Sequence, residues 1–221
     1  MREIVNGVFE ISIGYVHAHL VVVDDGVVLV DTGLPGRSAE FGRALHEMRR
    51  KIGDVTTILL THRHPDHTGG VAELQRRSGA RVVAHKLDAG AVEGREDPPL
   101  TRMQRLTKPL VGAAEPVTVD EAVSADGPIT VAGFRAVHTP GHTAGHVSYL
   151  LDRDGGVLFA GDAATSVRGR VRKSPRAMTL DVTRAAESIA RLAQLDFDTV
   201  VFGHGKAVRG RAVDGFRALT G

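Results

Sequence analysis

The sequence contains no cysteine, and this absence excludes both disulfide bonds and thiolate metal ligands. It is typical of a reducing compartment, so we predict a cytoplasmic protein. Long apolar runs are absent too: the runs present are a few residues long, whereas a membrane-spanning helix needs about 20. The first residues, "MREIVNGVFEISIGYVHAH", lack the pattern of a signal peptide. We therefore expect neither export nor membrane insertion.

A strong net charge is also missing. The 28 Lys and Arg residues against 26 Asp and Glu leave a formal charge of +2, so no overall field would hold the protein on nucleic acid or an anionic membrane. Apolar residues make up 42% and charged residues 24%, the balance of a globular protein. We predict one domain over residues 1–221 that acts on a small molecule as a monomer or homodimer.

Short β-branched runs alternate with helical patterns along the chain. Strands are predicted at "VFEIS", "HLVVV", "VVLVD", "VTTILLT", "ARVVAH", "VTV", "PITVAG", "FRAVH", "VSYLL", "VLFAGD" and "TVVFGHG". Helices are predicted at "RSAEFGRALHEMRRKIG", "GVAELQRRSG", "VTRAAESIARLAQL" and residues 212–219. Residues 86–116, which include several prolines, predict a partly helical excursion that flanks a cleft. This order indicates an α/β layered architecture.

Two stretches of the chain repeat one pattern. "HLVVVDDGVVLVDTG" (19–33) and "HVSYLLDRDGGVLFAGD" (146–162) both contain a histidine, an apolar strand, an acidic turn with glycine, a second apolar strand and an acidic loop. Each half would form a sheet with helices outside it. The repeat therefore suggests two sheets packed face to face.

The stretch "THRHPDHTGG" concentrates metal-binding side chains after a buried strand. His62 and His64 are two residues apart, so an extended backbone directs both side chains to the same side. Asp66 and His67 follow in a loop, and Gly69-Gly70 allow the chain to turn into the next helix. This short segment can therefore direct four ligand atoms at a small volume.

Three further residues of the same chemical type lie at strand ends. His142 follows a Pro-Gly turn in "HTPGHTAGH", Asp162 ends the apolar strand of "LFAGDA", and His204 stands between two glycines in "VVFGHG". Nitrogen and oxygen donors of this kind suit zinc, with iron or manganese as alternatives.

These motifs resemble the HxHxDH signature and the later ligands of the metallo-β-lactamase superfamily, in the family's order over residues 18–205. The resemblance implies a four-layer αββα sandwich with the metal site at the edge of two packed mixed sheets. It also implies two metal ions, the first held by three histidines and the second by an aspartate and two histidines, with one bridging carboxylate. By position the first set is His62, His64 and His142, the second is Asp66, His67 and His204, and the bridge is Asp162.

The same resemblance implies a hydrolase. Two zinc ions would share a metal-bridging hydroxide that attacks a small ester, thioester, lactone or amide, with Asp162 and Asp66 as catalytic residues and Asp66 as a proton donor to the leaving group. Among the family's branches the chain looks most like glyoxalase II, although only a short segment follows "GHG". The alternative is a mononuclear iron-dependent oxidoreductase of the persulfide dioxygenase type, because imidazole and carboxylate also bind iron.

Other polar residues have two interpretations. Asp31 in "VDTG" either orients a ligand histidine, as the resemblance implies, or caps a turn. Arg168 and Arg170 in the basic run "TSVRGRVRKSPR", together with Lys206, either bind an anionic substrate group or are solvated. The six remaining histidines are interpreted as structural or surface residues. They are His17, His19, His46, His85, His138 and His146.

Overall fold

The computed structural model describes all 221 residues. Its first sheet has seven strands, which lie side by side in chain order. They are β1 (Arg2–Val5), β2 (Val8–Ile13), β3 (Val16–Val23), β4 (Gly26–Val30), β5 (Val55–Leu59), β6 (Arg81–His85) and β7 (Glu121–Val123). Strands β1 to β4 pair antiparallel and β4 to β7 pair parallel, so the sheet is mixed.

The second sheet has six strands in the order β15-β14-β11-β10-β9-β8. They are β8 (Gly127–Pro128), β9 (Phe134–His138), β10 (Val147–Leu151), β11 (Val157–Phe159), β14 (Thr199–Val201) and β15 (Val208–Arg209). This sheet is mixed as well, because β11 and β14 pair parallel among antiparallel neighbours. The repeated segments seen in the sequence form the hairpins β3–β4 and β10–β11, one in each sheet.

Seven helices cover the outer faces and the connections. They are α1 (Ala39–Glu47), α2 (Pro65–Thr68), α3 (Val71–Ser78), α4 (Lys86–Val92), α5 (Arg102–Val111), α6 (Val182–Leu192) and α7 (Val213–Arg217). Short 3₁₀ turns occupy Ile52–Asp54 and Arg176–Met178. None of these helices combines the length and the apolar composition that crossing a bilayer requires.

Three apolar cores hold the layers together. Strand β4 contributes to two of these cores because both of its faces are buried. Val27 and Leu29 pack with helices α1 and α3, whereas Val28 and Val30 pack between the two sheets. The third core joins the outer face of the second sheet to α6 and α7. Helix, sheet, sheet and helix therefore stack in the predicted αββα order.

Two predicted strands are wrong. Residues 117–119 are not part of any strand. The strand in this region is β7, which begins at Glu121 and pairs with β6. Of residues 128–133, only Pro128 belongs to a strand. Their apolar side chains still pack on the cores, Val117 among them, so the burial predicted by the pattern is present without the hydrogen-bonded ladder.

The basic run after Asp162 is a hairpin. Strands β12 (Ala164–Val167) and β13 (Arg170–Lys173) pair antiparallel, and Arg168 and Gly169 form the turn with positive φ. Positive φ is uncommon for a residue other than glycine, and tight turns are where it occurs.

Candidate metal centre

The topology brings strand ends from both sheets to one edge. Strands β4, β5 and β6 run parallel in the first sheet, and β11 and β14 run parallel in the second. Their carboxyl ends therefore meet, as is usual for sites in mixed α/β sheets. The residues just beyond these ends are the predicted candidates: Asp31 after β4, His62 after β5, Asp162 after β11 and His204 after β14.

All seven predicted ligands meet at this edge in three overlapping groups whose donor atoms lie within 4.8 Å of one another. The groups are His62, His64 and His142; His62, His67 and Asp162; and Asp66, His67 and His204. Most of these side chains are buried, while Asp66 and His204 are partly exposed to the adjoining cavity.

The first group is compact. Nδ1 of His64 lies 3.0 Å from Nε2 of His62 and 3.0 Å from Nε2 of His142. Burial, together with the neighbouring imidazoles, holds the pKa values of His62 and His64 well below the usual 6.5, and burial also lowers the pKa of His142. Neutral imidazoles with converging nitrogen lone pairs are the form that binds a metal ion.

Asp162 lies between the two halves of the cluster. Its Oδ2 is 3.3 Å from Nε2 of His142 and 3.4 Å from Nε2 of His204, and its Oδ1 is 3.5 Å from Nε2 of His67. Burial opposes its charge, yet these three histidines hold the pKa of Asp162 well below 3.8. One carboxylate thus faces a histidine of each predicted metal set.

The second group favours positive charge. Burial disfavours a charged imidazole at His67, but the carboxylates of Asp162 and Asp31 outweigh burial and raise the pKa of His67 to about 10. Nε2 of His204 lies 3.6 Å from Oδ2 of Asp66. Carboxylates that stabilise a cation in this way also suit a divalent ion.

Partners outside the cluster orient three of the histidines. Nδ1 of His67 donates to Oδ2 of Asp31 over 2.7 Å, and Nδ1 of His204 donates to the carbonyl oxygen of Tyr15 over 3.1 Å. The Thr61 hydroxyl donates to Asp31 over 2.7 Å and lies 3.0 Å from Nδ1 of His62, from which it accepts. When the ring is neutral, each Nε2 is then left with its lone pair directed into the cluster.

The buried side-chain atoms without a hydrogen-bond partner include two that lie 3.5 Å apart in the cluster, Nε2 of His67 and Oδ1 of Asp162. An unpaired buried polar atom costs roughly 1–3 kcal/mol, which coordination to a metal ion would remove. Gly203 lets these two side chains approach, since a Cβ there would lie 2.3 Å from Cε1 of His67 and 2.6 Å from Oδ1 of Asp162. The residues present therefore fit a metal centre.

Two residues near the cluster carry no signal in the sequence. Asp88 of α4 is buried and accepts from the Thr143 hydroxyl, from the backbone of Gly145 and from the backbone of Arg63, so it joins the loops of His62–His64 and His142. Nε2 of Gln104 on α5 lies 3.2 Å from Nε2 of His64 and donates to the Met178 carbonyl over 2.8 Å. Both contacts join segments far apart in the chain.

A cavity of about 690 Å³ opens beside the cluster, and His64, Asp66, His142, Asp162 and His204 lie in its wall. The 86–116 excursion supplies much of the remaining wall, as its predicted position beside a cleft requires. Arg168, Arg170 and Lys206 are not among the residues that line it. Lys206 instead lines a separate pocket with Glu10 and His17.

The other histidines occupy structural or surface positions. His146 accepts from the backbone N–H of Asp162 over 2.9 Å and so positions that loop, while His85 accepts from the N–H of Leu87 at the start of α4 and stacks on His138. His19 is buried against Phe159.

Histidine and aspartate donors at the shared edge of two mixed sheets define a metallo-hydrolase of known type, and sequence comparison agrees. The family model described as "Metallo-beta-lactamase superfamily" matches residues 12–204. The chain is 32% identical to the "Probable metallo-hydrolase YflN" of Bacillus subtilis, in an alignment that covers 83% of this chain and 77% of that protein. The chain belongs to the metallo-beta-lactamase superfamily, and the prediction of a metal-dependent hydrolase is confirmed.

Other relatives are similar over part of their length or in fold. A hydroxyacylglutathione hydrolase of Shewanella baltica is 36% identical over 146 aligned residues. This alignment covers 66% of this chain and 45% of that protein, so the chain spans less than half of that relative's length. A metallo-beta-lactamase family protein from Thermus thermophilus superposes with a TM-score of 0.73 at 25% identity and covers 99% of this chain and 79% of its own. A subclass B3 metallo-beta-lactamase of Bradyrhizobium japonicum superposes with a TM-score of 0.69 at 25% identity. The superposition covers 90% of this chain and 75% of the lactamase chain.

Proposed function

We propose that this chain uses two zinc ions to hydrolyse a small ester, thioester, lactone or amide. The observation that carries the proposal is the position of Asp162, whose Oδ2 lies 3.3 Å from Nε2 of His142 and 3.4 Å from Nε2 of His204. A carboxylate between two sets of donors suits a bridge between two ions. When bound, the ions supply Lewis acidity that activates water near neutral pH and polarises the substrate carbonyl.

The residues of the cluster have different proposed roles. His62, His64 and His142 would hold the first ion, Asp66, His67 and His204 the second, and Asp162 both. Asp31 sets the orientation of His67 directly and that of His62 through Thr61. The cation-favouring second half of the cluster suits an ion near which negative charge develops on the substrate.

Asp66 is the proposed proton donor to the leaving group. It lines the cavity and is less buried than Asp162, and one of its oxygens lies 3.6 Å from Nε2 of His204. In this proposal its second carboxylate oxygen faces the substrate. A carboxylate in this position can hold a proton and pass it to a departing oxygen, sulfur or nitrogen atom.

Metal analysis and a substrate panel test the proposal. Purified protein should contain about two zinc ions per chain, lose its activity on chelation and regain it with zinc. The panel should include thioesters, lactones, β-lactams and phosphodiesters. One iron per chain with oxygen uptake on a persulfide substrate would overturn the proposal in favour of the oxidoreductase.

The assembly and compartment are part of the same proposal. We expect a monomer or homodimer that acts on a small molecule in the cytoplasm, without binding nucleic acid or membrane. The formal charge of +2 supports the expectation that the protein binds neither nucleic acid nor membrane, because it gives no strong overall positive field.

A further inference from the structure

The cavity beside the metal-binding cluster has a largely apolar wall. Its volume of about 690 Å³ falls in the range that holds a whole small ligand rather than a single carbonyl group. Much of this wall comes from helices α4 and α5, from the segment between them and from residues 113–116, with Val71 of α3 beside them. Its apolar members include Val71, Val92, Leu100, Val111, Pro116 and Met178.

Several of these side chains are held half-buried facing open space. Leu100, Val111 and Met178 are neither fully buried nor fully exposed, although the chain has three apolar cores that bury similar residues completely. Exposed apolar surface in a concave site usually marks a place where a ligand covers it. The wall is therefore suited to an apolar group.

The charged residues in the wall do not suit an anion. Outside the cluster the cations are Arg63 and Lys108, against Glu96, Asp97 and Glu115. The Arg63 guanidinium is already engaged, because it donates to the Pro99 carbonyl over 2.7 Å and lies 3.7 Å from Oδ1 of Asp88. The basic hairpin β12–β13 contributes Thr165 and Val167 to the wall and none of its arginines.

Helix α5 is fixed over the cluster. Thr101 and Gln104 form a capping box at its start, and the Gln104 amide donates to the Met178 carbonyl while lying against His64. Thr107 and Val111 follow Gln104 at helical spacing, and all three line the cavity, whereas Leu110 is 87% exposed. One face of α5 therefore forms a preorganised wall next to the metal-binding histidines.

We propose that this cavity binds the uncharged, apolar acyl chain of the substrate, so that the enzyme prefers esters, thioesters or lactones of medium-length aliphatic acids. The inference rests on the proposed hydrolase function. The acyl side is assigned because the leaving atom gains negative charge during hydrolysis, and an apolar wall would disfavour that charge. The acyl chain gains no charge during hydrolysis, so an apolar wall does not disfavour its binding.

The test is a series of 4-nitrophenyl esters, from acetate through butanoate and hexanoate to decanoate, with zinc-loaded enzyme. Each buried methylene should raise kcat/KM by up to about fourfold until the cavity is filled. In Val111→Asn the series should flatten, because KM rises more for the long chains than for the short ones. Leu110→Asn, the adjacent residue outside the wall, should behave as the unaltered enzyme does.

Binding without turnover gives a second measurement. Long-chain methyl ketones, which carry the apolar chain and cannot be hydrolysed, should bind the protein more tightly than acetone by calorimetry, and Val111→Asn should weaken that binding. Equal kcat/KM for acetate and hexanoate, or a preference for a glutathione thioester, which carries two carboxylates, overturns the acyl-chain inference alone. If ketones bind by chain length but no ester, thioester or lactone is hydrolysed, the hydrolase proposal fails and the apolar cavity stands.

Discussion

Asp31 and His67 form a buried hydrogen-bonded pair in which Nδ1 of His67 donates to Oδ2 of Asp31 over 2.7 Å. The same carboxylate accepts from the Thr61 backbone over 2.8 Å and from the Thr61 hydroxyl, which in turn contacts His62. One carboxylate therefore orients a histidine from each proposed metal set. Asp31 holds this position with φ of 60°, a conformation that is unfavourable for most residues and persists where surrounding contacts determine it.

Replacing Asp31 should weaken both proposed metal sites. Asp31→Asn keeps the size and tolerates the positive φ, but it cannot accept from His67 and from both Thr61 groups at once. We expect a loss of about 10–100-fold in zinc affinity, the usual effect of removing such a partner. Competitive zinc titration with a chromophoric chelator measures it.

Thr61→Val provides the matched comparison, since it removes the hydroxyl that joins Asp31 to His62 and leaves the Asp31–His67 hydrogen bond in place. It should weaken one zinc site and spare the other. Asp25→Asn, in the exposed β3–β4 turn, should change neither site. Unchanged affinity of both sites in Asp31→Asn would contradict the orienting role.

Removal of the Asp162 carboxylate should abolish hydrolysis with little effect on the fold. Asp162→Asn preserves shape but lacks the charge that faces His67, His142 and His204. Activity, zinc content and urea unfolding of the metal-free protein should be measured together. The exposed Asp152→Asn serves as control. Full activity of Asp162→Asn would refute the bridging role.

A methyl group at Gly203 should disturb the cluster. In Gly203→Ala the Cβ would lie 2.3 Å from His67 and 2.6 Å from Asp162, so one of the two must move. Overpacking of this kind costs about 1–3 kcal/mol, and zinc binding should weaken as well. Gly42→Ala, in α1 with no atom near its Cβ, should instead stabilise the protein by about 0.5–1 kcal/mol. Thermal unfolding with and without zinc distinguishes the two variants, and normal zinc binding by Gly203→Ala would contradict the packing argument.

The buried Asp88 should be important for stability. Asp88→Ala leaves the Arg63 guanidinium without its carboxylate partner and frees the Thr143 hydroxyl and the Gly145 N–H. Leaving one charge of a buried pair uncompensated costs about 3–5 kcal/mol. Asp214→Ala breaks exposed pairs with Arg211 and Arg217, and it should change the free energy of unfolding by less than about 1 kcal/mol. Equal effects of the two variants in urea denaturation would overturn the assignment.

His85 should make stability depend on pH. Burial lowers its pKa from 6.5 to about 4, with His138 and Lys86 acting in the same direction. Between these values the unfolded chain binds a proton that the folded chain does not, so His85 lowers stability as pH falls from about 6.5 to about 4.

The variant His85→Asn keeps an acceptor for the Leu87 N–H and removes the titration. Between pH 7.5 and pH 4.5 the metal-free variant should lose about 2–3 kcal/mol less unfolding free energy than the unaltered protein, since one pKa unit corresponds to about 1.4 kcal/mol. His46→Asn, at an exposed position of α1, should not reproduce this difference. Identical pH dependence of His85→Asn and the unaltered protein would show that His85 does not titrate as described.

The sequence by itself, together with the family resemblance that its motifs carry, determined the layered fold and which residues gather at the metal-binding edge. His62, His64, Asp66 and His67 are close in the chain, so their spacing and strand-end position were enough to predict that they act together. His142, Asp162 and His204 were identified by motif order and by apolar runs that end at a glycine or an acidic residue. The spacing and the strand-end positions are local signals, which periodicity reports, whereas the order of the motifs along the chain comes from the resemblance to the family.

Only the tertiary structure decided the contacts that join distant segments. Asp88 reaches the His142 loop across 55 residues of chain, and Gln104 reaches Met178 across 74. Nothing in the residues around Asp88 or Gln104 indicates these partners, because a hydrogen bond between distant segments depends on how the sheets and helices pack. The same packing turned the basic run into a hairpin whose arginines lie outside the cavity wall. It also buried Val117 in a segment that pairs with no strand. The sequence shows whether the side chains of such a segment are charged or apolar. The surface or core that these side chains face is set by the fold.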